Sequence, residues 1–351
     1  MTESSSPSLH PLPVGVALAA ALFLAGCAST PPTLGPVGEY ALPATAPEGL
    51  SGIAWLGDDR YALAEDSGGR IHFARIGLDR TTGAITNCTF TETWTIPGLV
   101  DAEGIAFDSR SGTLHVSDES SSQIFQIQNG AIPQLKHKFI YIDHIRPNKS
   151  LEALTYDTTY YKWNRDDSIL WTANEDALTL DGPTSSATNA ALVRIMAVPM
   201  HIKFFPLLGD WFYRLDAAQG GPVPGAGKDV PFNGLVGLAA LGDGKLLVLE
   251  RSCGLAQSND GGAPSLITSS IYFVDASRAK PGSPTPLKKT LLWRQGFPFS
   301  NYEGITLGPK LDDGSRAVLL VADGDVSKAR VGGIPVTLQW KKALFALKLT
   351  P

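Results

Sequence analysis

The chain has 351 residues, 43% hydrophobic and only 18% charged, a balance that excludes a disordered polypeptide. Lys and Arg number 29 against 34 Asp and Glu, a net charge of −5, so no basic excess exists to neutralise a phosphate backbone and nucleic acid is not expected as a partner. The length alone would suggest two domains, but repeat architectures exceed that prior as one body.

The first element is an apolar run over residues 14–24. It falls short of the roughly 20 apolar residues of a spanning helix and reads as a signal-peptide core. It leads into Leu24-Ala25-Gly26-Cys27, which resembles the lipobox of bacterial lipoproteins. The resemblance implies a signal peptide over 1–26, acylation of Cys27 and a tether over 27–37. Ala28, where an Asp would otherwise stand, implies an outer-membrane lipoprotein facing the periplasm. One departure is the leading segment, which has no Lys or Arg and carries Glu3. Export would place Cys88 and Cys253 where a disulfide is permitted; their spacing leaves pairing and two free thiols equally open.

From residue 38 onward the chain alternates Pro-, Gly- and Ser-rich joints with short runs of Val, Ile, Leu, Phe, Tyr and Trp, and no long run has a helical apolar period. This predicts an all-β fold. Five segments share one order: an opening residue, a Gly or Ala, a short apolar strand, a turn, and a second strand ending in acidic residues. They are LSGIAWLGDDRYALAED from Leu50, AEGIAFDSRSGTLHVSDE from Ala102, LEALTYD with ILWTANED from Leu151, LVGLAALGDGKLLVLER from Leu235, and YEGITLG with AVLLVADGD from Tyr302. Their small residues are Gly52, Gly104, Ala153, Gly237 and Gly304. The first two spacings fit a propeller blade of roughly 40 to 50 residues, and the longer ones require insertions.

The expected architecture is therefore a β-propeller over 38–351, with five visible units and five or six blades. Outer strands follow each hairpin: IHFARIG and ITNCTFTETWTI, QIFQIQ and HKFIYI, SIYFVDA and KKTLLWR. The insertion over 178–232 offers ALVRIMAV and WFYRLDA, with room for a sixth blade. The last unit ends in ALFALKL and lacks an outer strand, which residues 39–42 can supply by closing the ring between the two ends of the chain.

An antiparallel hairpin brings the start of its first strand beside the end of its second, so opening and terminal residues share one rim. The opening residues are Ser51, Glu103, Glu152, Val236 and Glu303. A first terminal column aligns Glu65, Asp118, Asn174, Glu250 and Asp323, and a second aligns Asp66, Glu119, Glu175, Arg251 and Gly324. Converging carboxylates repel unless a cation, a shared proton or an Arg relieves them. Oxygen ligands without clustered His or Cys favour calcium. The expected metal ligands are Glu65, Asp118, Glu175, Glu250, Glu303 and Asp323, with Glu103, Glu152 and Arg251 as catalytic groups. Arg251, near Lys149 in the same rim, offers charge pairing to a phosphoryl or carboxylate group. Two plainer readings stay open: each carboxylate caps a turn of its own blade, and Arg251 bridges to Glu119 or Glu175. His115 reads as a strand residue, and Trp55, Trp94, Trp171 and Trp293 as inter-blade core. The sequence holds no G-x-S-x-G, H-E-x-x-H or G-x-x-x-x-G-K-[ST] motif.

DAEGIAFD with HVSDES, NKSLEALTYD with ANED, LVLERS and NYEGITL, in this order, resemble the secreted and lipoprotein family named for the esterase-like activity of phytase, called phytase-like. The resemblance covers about residues 49–325. It implies a domain rich in Glu and Asp that hydrolyses phosphoric esters. The expected function is thus a calcium-dependent phosphoesterase on a small-molecule substrate, tethered to the membrane through Cys27. The alternatives are a propeller lactonase or carboxylic esterase, and a non-catalytic calcium-binding module.

Overall fold

The computed structural model describes residues 30–131, 136–138, 140–159, 168–199, 208–223, 230–256, 265–331 and 334–351. The apolar run over 14–24 and Cys27 lie outside the described residues. Strand β1 (Thr33–Ala41) comes first, and four antiparallel four-stranded sheets follow in chain order. They are β2 (Leu50–Gly57), β3 (Arg60–Glu65), β4 (Arg70–Leu78) and β5 (Ile85–Thr95); β6 (Ala102–Asp108), β7 (Thr113–Asp118), β8 (Gln123–Ile127) and β9 (Lys136–Lys138); β10 (Leu151–Asp157), β11 (Ile169–Asn174), β12 (Leu192–Pro199) and β13 (Gly209–Arg214); β14 (Phe232–Gly242), β15 (Lys245–Ala256), β16 (Ser265–Asp275) and β17 (Lys289–Phe297). The fifth sheet starts with β18 (Tyr302–Lys310) and β19 (Arg316–Ala322), is interrupted by a hairpin of β20 (Val326–Val331) and β21 (Ile334–Gln339), and resumes with β22 (Ala343–Thr350). Its order is β18, β19, β22, β1.

Each inner strand packs against the inner strand of the next sheet, from β2 to β6, β10, β14 and β18, and β18 packs against β2. The chain is a closed five-bladed β-propeller. Every junction has its own apolar cluster. Phe125 and Ile71 fill the first, Leu154 and Ile124 the second, Trp171 and Val248 the third, Leu247 and Phe345 the fourth, and Leu63 and Leu344 the fifth. Inner strands are consequently buried on both faces, which is why they read as continuous apolar runs rather than as alternation.

The insertion over 178–232 completes the third blade with β12 and β13, and no sixth blade exists among the described residues. In the second blade the outermost described strand is Lys136–Lys138, and Ile142, the last residue of HKFIYI expected to remain extended, opens a 3-10 turn over Ile142–His144. Strand β1 pairs with β22 from Thr33 opposite Thr350 to Ala41 opposite Ala343. Strand β1 thus completes the last blade from the other end of the fold and covers the outer edge of β22. Pairing begins at Thr33, inside the segment expected as tether. Cys88 and Cys253 are free thiols.

Candidate functional site

In all five inner hairpins the pairing register slips at the opening residue. The slips fall between Leu50 and Gly52, Ala102 and Ile105, Leu151 and Ala153, Leu235 and Gly237, and Tyr302 and Gly304. Such a bulge re-aims a side chain. The small residue after it has a separate cause. A Cβ on Gly52 would lie 2.2 Å from the Glu103 carbonyl oxygen of the next blade, and one on Gly104 would lie 2.6 Å from the Leu154 nitrogen. The inner strands approach too closely for anything larger.

The register corrects one column. Leu50 faces Glu65, Ala102 faces Asp118, Leu151 faces Asn174 and Leu235 faces Glu250, but Tyr302 faces Ala322. Asp323 therefore stands one place further along and belongs with Asp66, Glu119, Glu175 and Arg251. Backbone hydrogen bonds repeat that assignment: the amides of Asp66, Glu119, Glu175 and Asp323 donate to the carbonyls of Gly49, Asp101, Ser150 and Asn301 at 2.8, 2.8, 2.9 and 3.0 Å.

The first column does not join the mouth, because successive residues of a strand point to opposite faces. Glu65 is taken by Arg70 and by His72 Nε2 at 2.6 Å. Burial works to raise its carboxyl, but those two partners hold it below the ordinary range. Asp118 accepts the amides of Val100 and Asp101 at 2.9 and 2.8 Å and bonds to Ser120 and Ser121. Burial opposes these bonds, which nevertheless keep it low. Glu250 accepts from Tyr213 and Lys289, both at 2.6 Å, and from Asn233 and the Asp216 amide. Glu65, Asp118 and Glu250, expected as metal ligands, are instead spent on partners outside the mouth, those of Glu250 coming from both the third and the fourth blades.

The second column and the bulged residues do converge. Carboxylate oxygens of Glu119, Glu152 and Glu175 lie within 4.8 Å of one another, as do those of Asp101, Glu103 and Glu119; Asp66, Asp323 and Asp325 form a third group. Glu119 is pinned by the Ser150 amide at 2.9 Å. Arg251 reaches Glu175 at 2.8 Å and also pairs with Glu303, and Lys149 pairs with Glu175. Arg251 thus takes the bridging role that the sequence left open. Asn301 donates to Glu303 at 2.9 Å and to Asp323 at 3.3 Å.

Charge is unevenly compensated around this mouth. Glu175 and Glu303 have arginine partners, while the carboxylates of Glu103 and Glu152 take no hydrogen bond or ion pair from any described residue. Burial, and then the charges of Glu152, Glu303 and Glu119, push Glu103 well above the ordinary carboxyl range. Burial and then Glu175 and Glu119 do the same to Glu152. Burial raises Glu303 to about 8 even against Arg251, and burial with Asp323 and Asp325 raises Asp66 to about 7. Ser51 supplies no nucleophile, since its hydroxyl donates to the Ala102 carbonyl at 2.5 Å.

Sequence reasoning missed Asp101, Ser150 and Asn301. They occupy a column two residues before the opening position, together with Gly49 and Gly234, and extending the repeat alignment by two residues would have exposed them. Asp325 carries no such signal.

Compared with families of known proteins, residues 45–326 match the family described as Phytase-like, esterase-like activity of phytase. The chain belongs to the phytase-like family. The match spans all five hairpins of the mouth, from Leu50 to Asp323. No curated protein matches the phytase-like chain. Among solved structures it is similar to a nidogen/laminin complex, at 10% identity and TM-score 0.39 over 91% of this chain and 97% of that one. It is also similar to a PQQ-bound aldose sugar dehydrogenase from Streptomyces coelicolor, at 12% and 0.38 over 90% and 99%. A gluconolactonase from Xanthomonas campestris matches at 13% and 0.34 over 91% and 95%. Likeness at this level says nothing about chemistry.

Proposed function

We propose that the acidic mouth binds calcium and that the protein uses it to hydrolyse an ester, a phosphoric ester in the first place. The observation that carries this reading is the convergence of Glu119, Glu152 and Glu175 within 4.8 Å, at a depth where Glu152 has no protein partner. Clustered oxygens without His or Cys suit a hard cation, and buried carboxyls forced upward by one another are the groups that a cation relieves. Glu119, Glu152 and Glu175 would hold it, with Asp101 and Glu103 alongside. Held there, a calcium ion would supply neutralisation of charge on the scissile group and a more acidic water. The Glu103 carboxyl, buried and without a hydrogen bond from a described residue, would take the proton once the charge of the cation keeps it ionised. Arg251 keeps Glu175 and Glu303 oriented and acts as a positioning residue. The family description, with its esterase-like activity, supports an ester substrate.

Calorimetry of the chelated protein with calcium, beside assays on nitrophenyl phosphate, bis-nitrophenyl phosphate and nitrophenyl acetate, tests this reading. Calcium binding and calcium-dependent phosphoester cleavage, both weakened by Glu152→Gln, are expected. Absence of calcium binding defeats the metal mechanism. Tight binding without cleavage of any ester leaves a binding module, and cleavage of the acetate alone selects the carboxylic esterase. We further propose that Cys27 is acylated and tethers the protein to a membrane facing the periplasm; Cys27→Ser should release it into the soluble fraction.

A further inference from the structure

The other end of the channel is built by the same five hairpins and has the opposite character. Along the axis, Ile53, Ile105, Leu154, Leu238 and Ile305 meet with the small residues around a space of only about 10 Å³, at the lower limit of what one water needs. Nothing larger passes from the acidic mouth. Beyond this plug opens a cavity of about 430 Å³, walled by Trp55, Phe107, Tyr156, Leu241 and Leu307. Each blade contributes one of these side chains, and the volume is that of a small-molecule site.

Among the described residues, two charged side chains line the cavity, Asp157 and Arg316. Asp157 is consumed by structure: one oxygen accepts the Thr159 amide and hydroxyl at 2.8 and 3.0 Å, and the other accepts the Gly244 amide at 3.0 Å. Arg316 is not. Its Nε donates to the Gly308 carbonyl at 2.8 Å, and its guanidinium carbon stands 5.5 Å from the Trp55 ring centroid. Its two terminal nitrogens meet no carboxylate of a described residue. Arg194 and Arg251, by contrast, each bridge two carboxylates. Burial pulls the Arg316 pKa below its ordinary value, the direction expected of a cation removed from water without a counter-charge.

We propose that this lower cavity binds a small organic anion with an apolar body, an aryl or alkyl carboxylate, whose charged group takes the free edge of Arg316. A carboxylate offers the two parallel acceptors that a guanidinium fork fits. The aromatic wall and the plug provide dry surface for the apolar body. One cation in a lining that also contains Asp157 suits a single negative charge better than a phosphate dianion. The site is independent of the acidic mouth, from which the plug separates it.

The test is calorimetric titration with 4-phenylbutyrate and its neutral counterpart 4-phenylbutanol. The acid should bind at least about tenfold more tightly than the alcohol, the scale of a charge-assisted bidentate pair. Arg316→Gln should bring the two affinities together while leaving the melting temperature and circular dichroism of the fold in place. Ala240→Trp, which fills the cavity from the fourth blade, should lose both ligands, and it decides the matter if the arginine variant does not fold. The ratio should be the same in calcium and in chelator. The proposal is overturned if the unmutated protein binds neither compound or binds both equally. It is also overturned if Arg316→Gln keeps the preference, if Ala240→Trp keeps either ligand, or if binding follows calcium, which would move the ligand to the mouth.

Discussion

The two ends of the channel are made by one set of hairpins only a few residues long, yet one end gathers carboxylates and the other gathers aromatic and aliphatic side chains. Between Glu103 and Phe107, or Glu152 and Tyr156, the chain advances four residues and crosses from a charged mouth to an apolar cavity. At the upper end a bulge turns the opening residue toward the axis and the neighbouring carboxylates compensate one another poorly. Among the described residues that line the lower cavity, Arg316 is left without a counter-charge. A propeller axis is thus a place where backbone closeness is satisfied once, at the glycine column, and the chemistry of either side is free to differ.

The largest effect should come from breaking the compensation at the upper end. Arg251→Met leaves Glu303 buried without its ion-pair partner and Glu175 with Lys149 alone, and loss of one member of a buried pair costs about 3 kcal/mol or more. Chemical denaturation in chelator should register that loss, and added calcium should restore part of it; a variant as stable as the parent would mean that Arg251 does not hold the mouth together.

Damage to the plug should be somewhat milder. Gly104→Val forces a side chain against the Leu154 nitrogen and Glu152 carbonyl of the next blade, and overpacking of this kind costs about 2 kcal/mol. Both ends of the channel should suffer together, read as a lower denaturation midpoint and weaker calcium binding; a stable variant with intact binding would show that the blades can part without consequence.

Acidity distinguishes the ends more finely, since the mouth holds Asp66 and Glu303, two carboxyls raised by burial. Asp66 at about 7 and Glu303 at about 8 keep protons in the folded state that the unfolded chain releases near pH ~4. The folded state therefore binds more protons across the window from about 4 to about 8. Stability in chelator should fall as pH rises through that window, by up to about 1.4 kcal/mol per pH unit for each such proton. Calcium should flatten the fall by taking the protons' place. Thermal melts across this range with and without calcium provide the check, and stability that rises with pH in chelator would contradict the assignment.

The smallest effect on calcium is expected from the first column. Glu65→Gln removes the partner of Arg70 and His72 and should cost about 1 kcal/mol of stability with calcium affinity unchanged. Weakened calcium binding in this variant would place Glu65 at the mouth after all.

Much of this arrangement was legible in the chain. The glycine or alanine after each opening residue, from Gly52 to Gly304, marked five hairpins, and the orphan strand near Glu39 marked the closure with the last strand. Glu103, Glu152, Glu175 and Glu303 were identified because hairpin pairing alone brings strand starts beside strand ends. Glu65, Asp118 and Glu250 were misjudged for the opposite reason: adjacent positions on a strand point to opposite faces, and the repeat does not say which of two consecutive acidic residues faces the axis. In the fifth unit the acidic Asp323 follows the strand directly, and the repeat pattern alone does not reveal that Tyr302 pairs with Ala322 one place earlier.

What the sequence determined by itself was the class of fold, the number of repeating hairpins and the family, because apolar periodicity and small-residue spacing are properties of the chain read locally. What only the tertiary structure decided was which carboxylates meet, that Arg251 is already engaged, that Asp101 joins the mouth, and that a cavity with an uncompensated Arg316 lies beyond the plug. Those depend on bulges, strand register and the approach of one blade to the next, and each is fixed by contacts between residues that are tens to hundreds of positions apart in the chain.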